Sequence, residues 1–331
     1  MVAMLDFASM DGIISMPDAI DLLEKTMAHE ARGSTSVSPK FITEFEGGAM
    51  RVLFAADGDA GYCALKAYHN INGIGARYVV LLYSLKGGEL LAVLDGRLIT
   101  DLRTGAASGV AARRVLLAGA VSVGLVGSGN QARTQLESLA AVYGIASAAV
   151  YSPTAANRET FAAEMSMKLG FPVTPMDSAE AAVRGRQVVA TASKARDAEP
   201  VVRAEWLKDC RLLCAVGNTR RQFAEVDVAS FRNAGMVIVD SAHARDEAGE
   251  LRQATAAGAL PTTKCATLAE VVTGVRSVPS EGLVVFKSVG MALQDLALAA
   301  HYYERLSGRP GTVMAPDVAS LRDRGKMLAG V

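Results

Sequence analysis

The sequence predicts an α/β protein with a doubly wound parallel sheet, joined to a smaller α+β portion. Three observations carry this expectation. From Val121 onward, short apolar runs alternate with helix-compatible segments, the pattern of a parallel sheet covered by helices. The first run ends in Gly127-Ser128-Gly129-Asn130-Gln131-Ala132 and leads into a helix through Val142. Before Val121, strand-like segments follow one another with turn signals and no helix between them, which reads as an antiparallel sheet. A chain of 331 residues suggests two domains, each large enough for its own core.

Taken in order, Met16–Ala31 reads as an amphipathic helix, with Ile20, Leu23 and Met27 on one face and Pro17 in its first turn. Strands are expected at 51–55, 62–68 and 78–84, then a hairpin turn at Leu85-Lys86-Gly87-Gly88-Glu89 into a strand at 90–94. Asp95-Gly96 reads as a further turn. Residues 100–117 look helical. Their small members (Gly105, Ala106, Ala107, Ser108, Gly109, Ala111, Ala112) suit close packing against another element, such as a partner subunit. Parallel strands are expected at 121–126, 148–151, 187–190, 212–216, 236–239 and 283–286. A last helix, about 290–306, leads back toward the first portion, and 307–331 carries no clear pattern.

Composition removes several function classes. The 34 basic and 34 acidic side chains cancel and no block of like charge occurs, so no nucleic-acid surface is expected. Apolar runs stay shorter than a membrane span of roughly 20 residues. Asp6 and Asp11 near the N-terminus, with no basic n-region, argue against a signal peptide. Cys63, Cys210, Cys214 and Cys265 match no zinc or redox spacing and read as reduced thiols in a cytoplasmic protein. His29, His69, His243 and His301 form no ligand pair, and no metal site is expected.

The glycine motif carries the most chemistry. Gly127 permits a tight turn, Gly129 removes a side chain from the path of a pyrophosphate, and Ala132 is small enough for close helix–strand packing. The helix start at Ser128, Asn130 and Gln131 then offers free N–H groups and partial positive charge to phosphates. The competing explanation is a glycine-rich turn without a nucleotide. The next strand ends at Tyr151-Ser152-Pro153-Thr154, where an NAD site usually carries an acid. The hydroxyls of Ser152 and Thr154, with Arg158 nearby, suit a 2′-phosphate instead, so NADP is expected ahead of NAD. Thr191-Ala192-Ser193, Val216-Gly217-Asn218-Thr219 and Ser288-Val289-Gly290 follow later strands and belong at the same crevice, unless they are ordinary turns.

Two basic residues stand out. Arg103, in Asp101-Leu102-Arg103-Thr104-Gly105, appears at a helix start, where a guanidinium can grip a carboxylate or simply make a surface ion pair. Lys66 interrupts the apolar strand Cys63-Ala64-Leu65-Lys66-Ala67-Tyr68. It either points to solvent or enters a site, where desolvation lowers its pKa toward neutrality.

In this order the motifs resemble the ornithine cyclodeaminase/mu-crystallin family over nearly the whole chain. The marks are Leu98-Ile99-Thr100-Asp101-Leu102-Arg103-Thr104-Gly105, the glycine motif, Ala215-Val216-Gly217-Asn218 with Glu225-Val226-Asp227, and the run from Phe286 to Asp295. The resemblance implies a homodimer. Residues 1–118 with 296–331 would form the substrate-binding and dimerisation domain, and 119–295 the Rossmann-type dinucleotide domain. Lys66 and Arg103 would hold the carboxylate of an amino or imino acid, Lys66 would also transfer a proton, and Thr104 would join the cofactor site. Asp295 either orients Lys66 or caps structure. Lys40 stands where the family carries an arginine. Thr219 stands where cyclodeaminases carry a catalytic aspartate, so the resemblance implies imino-acid reduction with NADPH before ornithine cyclodeamination with bound NAD, or a non-catalytic binding protein.

Overall fold

The computed structural model describes residues 1–194 and 199–317. The chain opens with β1 (Val2–Leu5), a short helix α1 (Phe7–Met10) and α2 (Met16–Ala31). Ser15 caps α2 by accepting from the Asp18 N–H, Pro17 lies in the first turn, and Ile20, Leu23 and Met27 are buried as expected. Next come β2 (Thr35–Val37), β3 (Phe41–Phe45), β4 (Gly48–Asp57), β5 (Tyr62–Ile71), β6 (Gly75–Ser84) and β7 (Leu90–Asp95). The β4–β7 strands form the expected antiparallel meander, with Lys66 opposite Leu53 on one side and Val80 on the other. Parallel pairing of β1 with β7 makes the sheet mixed, and the C-terminal strand Val313–Ala315 closes its far edge.

Asp95-Gly96 is not a turn. Asp95 is the N-cap of α3 (Gly96–Ala112), accepting from the Leu98 N–H at 2.9 Å. The helix therefore starts before residue 100 and ends before 117, and Arg103 sits inside it rather than at its start. The small residues of α3 face the chain's own helices. A Cβ on Gly105 would lie 2.5 Å from the Thr134 carbonyl oxygen, and one on Gly109 2.5 Å from Ile20 Cδ1 and Ser138 Oγ.

Beyond α3 the alternation is regular: β8 (Val121–Val126), α4 (Asn130–Val142), β9 (Ile145–Tyr151), α5 (Ala155–Leu169), β10 (Val173–Pro175), α6 (Ala179–Val183) and β11 (Val188–Thr191). There follow β12 (Leu212–Ala215), α7 (Val228–Asn233), β13 (Met236–Val239), α8 (Ala244–Glu247), α9 (Gly249–Ala256), β14 (Cys265–Thr267), α10 (Leu268–Val272) and β15 (Val284–Lys287). The sheet order is β10-β9-β8-β11-β12-β15-β13-β14, with every pairing parallel. The chain goes one way from β8 to β9 and the other way to β11, so the crevice at the carboxyl end of β8 is a topological switch point. After β15, α11 (Ala292–Leu306) packs on β4, β5 and β6 of the mixed sheet, and β16 (Val313–Ala315) ends the described chain. Residues 318–331, expected to complete the first domain, lie outside the described residues. No described helix is long and apolar enough to cross a membrane.

Candidate active site

A cavity of about 620 Å³ opens between the carboxyl ends of the parallel strands and one face of the mixed sheet. On that face β5 presents Lys66, an almost fully buried ammonium. Its Nζ donates to Asp295 Oδ1 at 2.8 Å and to Thr100 Oγ1 at 2.6 Å. From α3, Arg103 Nε donates to the same Asp295 oxygen at 3.3 Å, while Nη1 reaches Gln294 Oε1 at 3.4 Å. One carboxylate thus serves two cations, and the cluster keeps net positive charge inside the protein. Burial, opposed by Asp295 and reinforced by Arg103, lowers the Lys66 pKa to about 8. Tyr68 and Tyr78 stack beside it, with ring centroids 5.0 Å apart, and Lys66 Nζ lies 5.6 and 5.4 Å from the two rings. Asp295 thus contacts Lys66 directly, and the N-cap of the helix that carries it is Met291.

The opposite wall is the glycine loop. Gly127 has φ +120°, and a Cβ there would sit 2.5 Å from the Ala192 carbonyl oxygen, so both conformation and space require glycine. At Gly129 a Cβ would meet nothing, leaving open space in front of the loop. Gly129 caps α4 without a side-chain hydrogen bond, so the first N–H groups of α4 are not claimed by a capping side chain. These features fit a dinucleotide pyrophosphate. Gly129, Asn130 and Gln131 line the cavity, as do Thr104, Ala192, Ser193, Val216, Ser288 and Gly290. Gln131 Nε2 donates to Asp101 Oδ1 at 2.7 Å, linking α4 to α3.

Other expected residues take different places. Ser128 and Ser152 pair through their hydroxyls at 2.8 Å behind the glycine turn. Arg158 donates to the Ser152 carbonyl at 3.2 Å and to the exposed Asp177 at 2.6 Å, near an exposed Thr154. Thr191 is buried and donates to Glu225 at 3.1 Å. Asn218 is also buried, its amide held by Glu250 at 2.6 Å. Neither lines the cavity. Lys40 and Thr219 do: Lys40 Nζ binds Glu247 at 3.0 Å and the Val289 carbonyl at 3.3 Å, while Thr219 is exposed.

Sequence reasoning quotes Glu225 only as a mark of the resemblance, gives it no role in the site, and misses Asp240. Glu225 accepts from the backbone N–H groups of Ser193, Gly217 and Asn218, tying the loop after β11 to the loop after β12. Asp240 accepts from the Ser288 hydroxyl and from the N–H groups of Val289 and Gly290. That fixes Gly290, at φ +78°, against Arg103, whose Nη1 lies 2.6 Å from where a Cβ would be. Lys287 and Glu250 form a fully buried ion pair at 2.8 Å beneath Asn218. The available signal was an acid directly after a buried strand, as at Val239-Asp240.

The profile of the ornithine cyclodeaminase/mu-crystallin family matches residues 2–309. An alanine dehydrogenase of Archaeoglobus fulgidus is 30% identical over 304 residues, covering 89% of this chain and 92% of that protein. The structure of a Thermococcus litoralis Delta(1)-pyrroline-2-carboxylate reductase in complex with NADH and L-proline superposes with a TM-score of 0.86 at 31% identity, covering 92% of this chain and 97% of that one. An archaeal alanine dehydrogenase dimer with bound NAD superposes with a TM-score of 0.85 at 29% identity, covering 92% and 95% of the two chains.

Proposed function

The chain belongs to the ornithine cyclodeaminase/mu-crystallin family, and from that premise we propose that it is an NADPH-dependent reductase of a small 2-imino acid, cyclic or acyclic. The observation that carries the reading is the buried Lys66–Asp295–Arg103 cluster facing the glycine loop. A reduced nicotinamide, when bound, supplies the hydride to the C=N carbon. Arg103 offers its fork to the substrate carboxylate, and Lys66 adds a second positive contact. With a pKa of about 8, Lys66 is mostly protonated at neutral pH and holds a proton at Nζ for the imine nitrogen. Tyr68, Tyr78 and Leu53 line the same cavity and limit water around the reacting carbon.

Arg158, with Ser152 and Thr154, supports the preference for NADP: its guanidinium reaches the strand end where a ribose phosphate would lie, and its carboxylate partner there, Asp177, is exposed. The dimer seen in the archaeal relative supports a homodimer formed through residues 1–118 and 296–331, with 119–295 as the dinucleotide domain. Four free thiols accord with a cytoplasmic setting. The test is an NADPH-oxidation screen over 2-oxo acids with ammonia or methylamine, together with preformed cyclic imines. Turnover of at least one imine supports the reading. Stoichiometric NADPH binding with no turnover across the panel refutes it in favour of a binding protein.

A further inference from the structure

Glu225, the acid that ties the loop after β11 to the loop after β12, is fully buried and has no cation beside it. Its Oε1 accepts from the Ser193 N–H at 2.8 Å and from the Ser193 hydroxyl at 2.6 Å. Its Oε2 accepts from the Gly217 N–H at 2.7 Å, the Asn218 N–H at 2.9 Å and the Thr191 hydroxyl at 3.1 Å. Backbone N–H groups only donate, so donors fill both oxygens and none of these partners is placed to receive a carboxyl proton. The group sits there as an anion held by neutral partners, with no ion pair to it among the described residues. Lys287 donates to the Asn218 carbonyl at 2.6 Å, but its charge is matched by Glu250 at 2.8 Å.

Ala192, Ser193, Val216 and Gly217 line the cavity. A Cβ on Gly217 would lie 2.3 Å from Glu225 Oε1, so the carboxylate packs against this wall. A dinucleotide lies across the strand ends at the switch point. Its pyrophosphate belongs at the glycine loop after β8, and its adenosine end at β9, where Ser152 and Arg158 lie. In the order β9-β8-β11-β12 the nicotinamide end then falls over β11 and β12, whose loops Glu225 holds. Across the cavity, Lys66 and Arg103 share the single carboxylate of Asp295 and stay net positive. Lys194 and Arg220 also line the cavity, but both are exposed and solvent screens them. The buried charges therefore leave the loop wall negative and the sheet wall positive.

We infer that the buried Glu225 anion favours the oxidised, cationic nicotinamide over the reduced, neutral one, and so assists the departure of hydride toward the sheet wall. This rests on the NADPH-reductase reading. In that reaction hydride leaves C4 of the dihydronicotinamide with two electrons and forms the C–H bond at the imine carbon. The C=N electron pair moves to nitrogen, which takes the Lys66 proton. The ring is left with a positive charge on the side of Glu225, and negative charge has moved toward the cations. A charge fixed in a water-excluded wall acts on such a change without reorienting. Glu225 works through this field and through the loops it holds, not by touching the ring.

The test is calorimetric titration of NADP+ and of NADPH into wild type, Glu225→Gln and Thr191→Val. Wild type should bind NADP+ more tightly than NADPH. Glu225→Gln should raise the ratio of the NADP+ Kd to the NADPH Kd roughly 5- to 20-fold, as for unit charges about 10–15 Å apart at an effective dielectric constant of about 20. For this two-electron couple, each tenfold is a rise of about 30 mV in the potential of the bound cofactor. Thr191→Val removes one hydrogen bond to the same carboxylate and keeps its charge, so the wild-type ratio should persist. A role confined to holding the loops shifts both Kd values together and leaves the ratio alone. A ratio unmoved in Glu225→Gln, or moved as far by Thr191→Val, overturns the proposal and leaves the reductase reading standing. If Glu225→Gln does not fold, the wild-type order decides: NADPH bound as tightly as NADP+, or more tightly, overturns the proposal. No binding of either dinucleotide overturns the NADPH-reductase reading itself, and this proposal with it.

Discussion

Asp295→Asn should move the proton of Lys66 without emptying the site. The substitution keeps the size of the side chain and removes the one carboxylate shared by Lys66 and Arg103, at 2.8 and 3.3 Å. Stranding a buried charge by deleting its partner costs about 3–5 kcal/mol. Lys66 has a cheaper course. Its pKa is about 8, so losing the proton at pH 7 costs about 1.4 kcal/mol. The ammonium should therefore deprotonate before the fold gives way, and its pKa should fall by at least about one unit. In the proposed mechanism protonated Lys66 is the competent form, so wild-type kcat/KM should decline as pH rises through about 8. In Asp295→Asn that decline should begin at lower pH. The ratio of variant to wild-type kcat/KM, measured on one preformed cyclic imine, should then drop about 5-fold between pH 6 and pH 8. Taking the ratio cancels the titration of the substrate. A ratio that stays flat with pH would refute the claim that Asp295 governs the Lys66 proton.

Lys66→Ala should abolish imine reduction while leaving NADPH binding, followed by fluorescence titration, near wild type; unchanged turnover would take Lys66 out of the site. Arg158→Ala should raise the Kd for NADPH more than that for NADH, and equal changes would remove the basis for the NADP assignment. Gly127→Ala meets the Ala192 carbonyl and a φ of +120°, so it should lower the Tm and weaken dinucleotide binding together. Gly105→Val forces side-chain atoms onto the Thr134 carbonyl and should cost about 1–3 kcal/mol in stability, read by thermal melting.

What could be read from the chain alone follows from where the determinants lie. The bounds of α2 were legible because Ser15, Pro17 and the apolar period are all local. Those of β13 were legible because a strand buried on both faces reads as an unbroken apolar run, and those of β8 because its mostly apolar run ends at the glycine motif. By contrast, β3 is exposed along its whole length and has no alternation to detect. Short strands such as β1, β10 and β14 depend on partners distant in sequence or on a few bonds at a sheet edge. Asp95-Gly96 was misread because Asp suits both turns and helix N-caps, and only the following segment decides. In the site, Lys66 and Arg103 were marked by residue type and motif. The shared contact with Asp295 spans 229 and 192 positions and required the α11 helix to dock on the first sheet. No local signal marks Arg51 as a cavity residue, because the segments that line the other side of the cavity come later in the chain.

The same geometry bears on whether this site could run a deamination. Releasing ammonia from ornithine and closing the ring needs a carboxylate near the distal amine, to bind its ammonium and take its proton. Asp101 and Asp295 are the acids that line the cavity among the described residues. Asp295 is committed to Lys66 and Arg103, and Asp101 to Gln131, with Arg97 3.8 Å away. Burial raises the Asp101 pKa, and the contacts from Arg97 and Arg103 only offset that in part. Where cyclodeaminases are expected to carry their aspartate, Thr219 offers a hydroxyl, and Arg51 adds positive charge to a region that would have to accept an ammonium. Ornithine incubated with the enzyme and NAD should therefore yield no ammonia above background, assayed by coupled detection. Ammonia release from ornithine without net change in cofactor would show that a carboxylate reaches the distal amine after all, and would return the chain to the lyase side of its family.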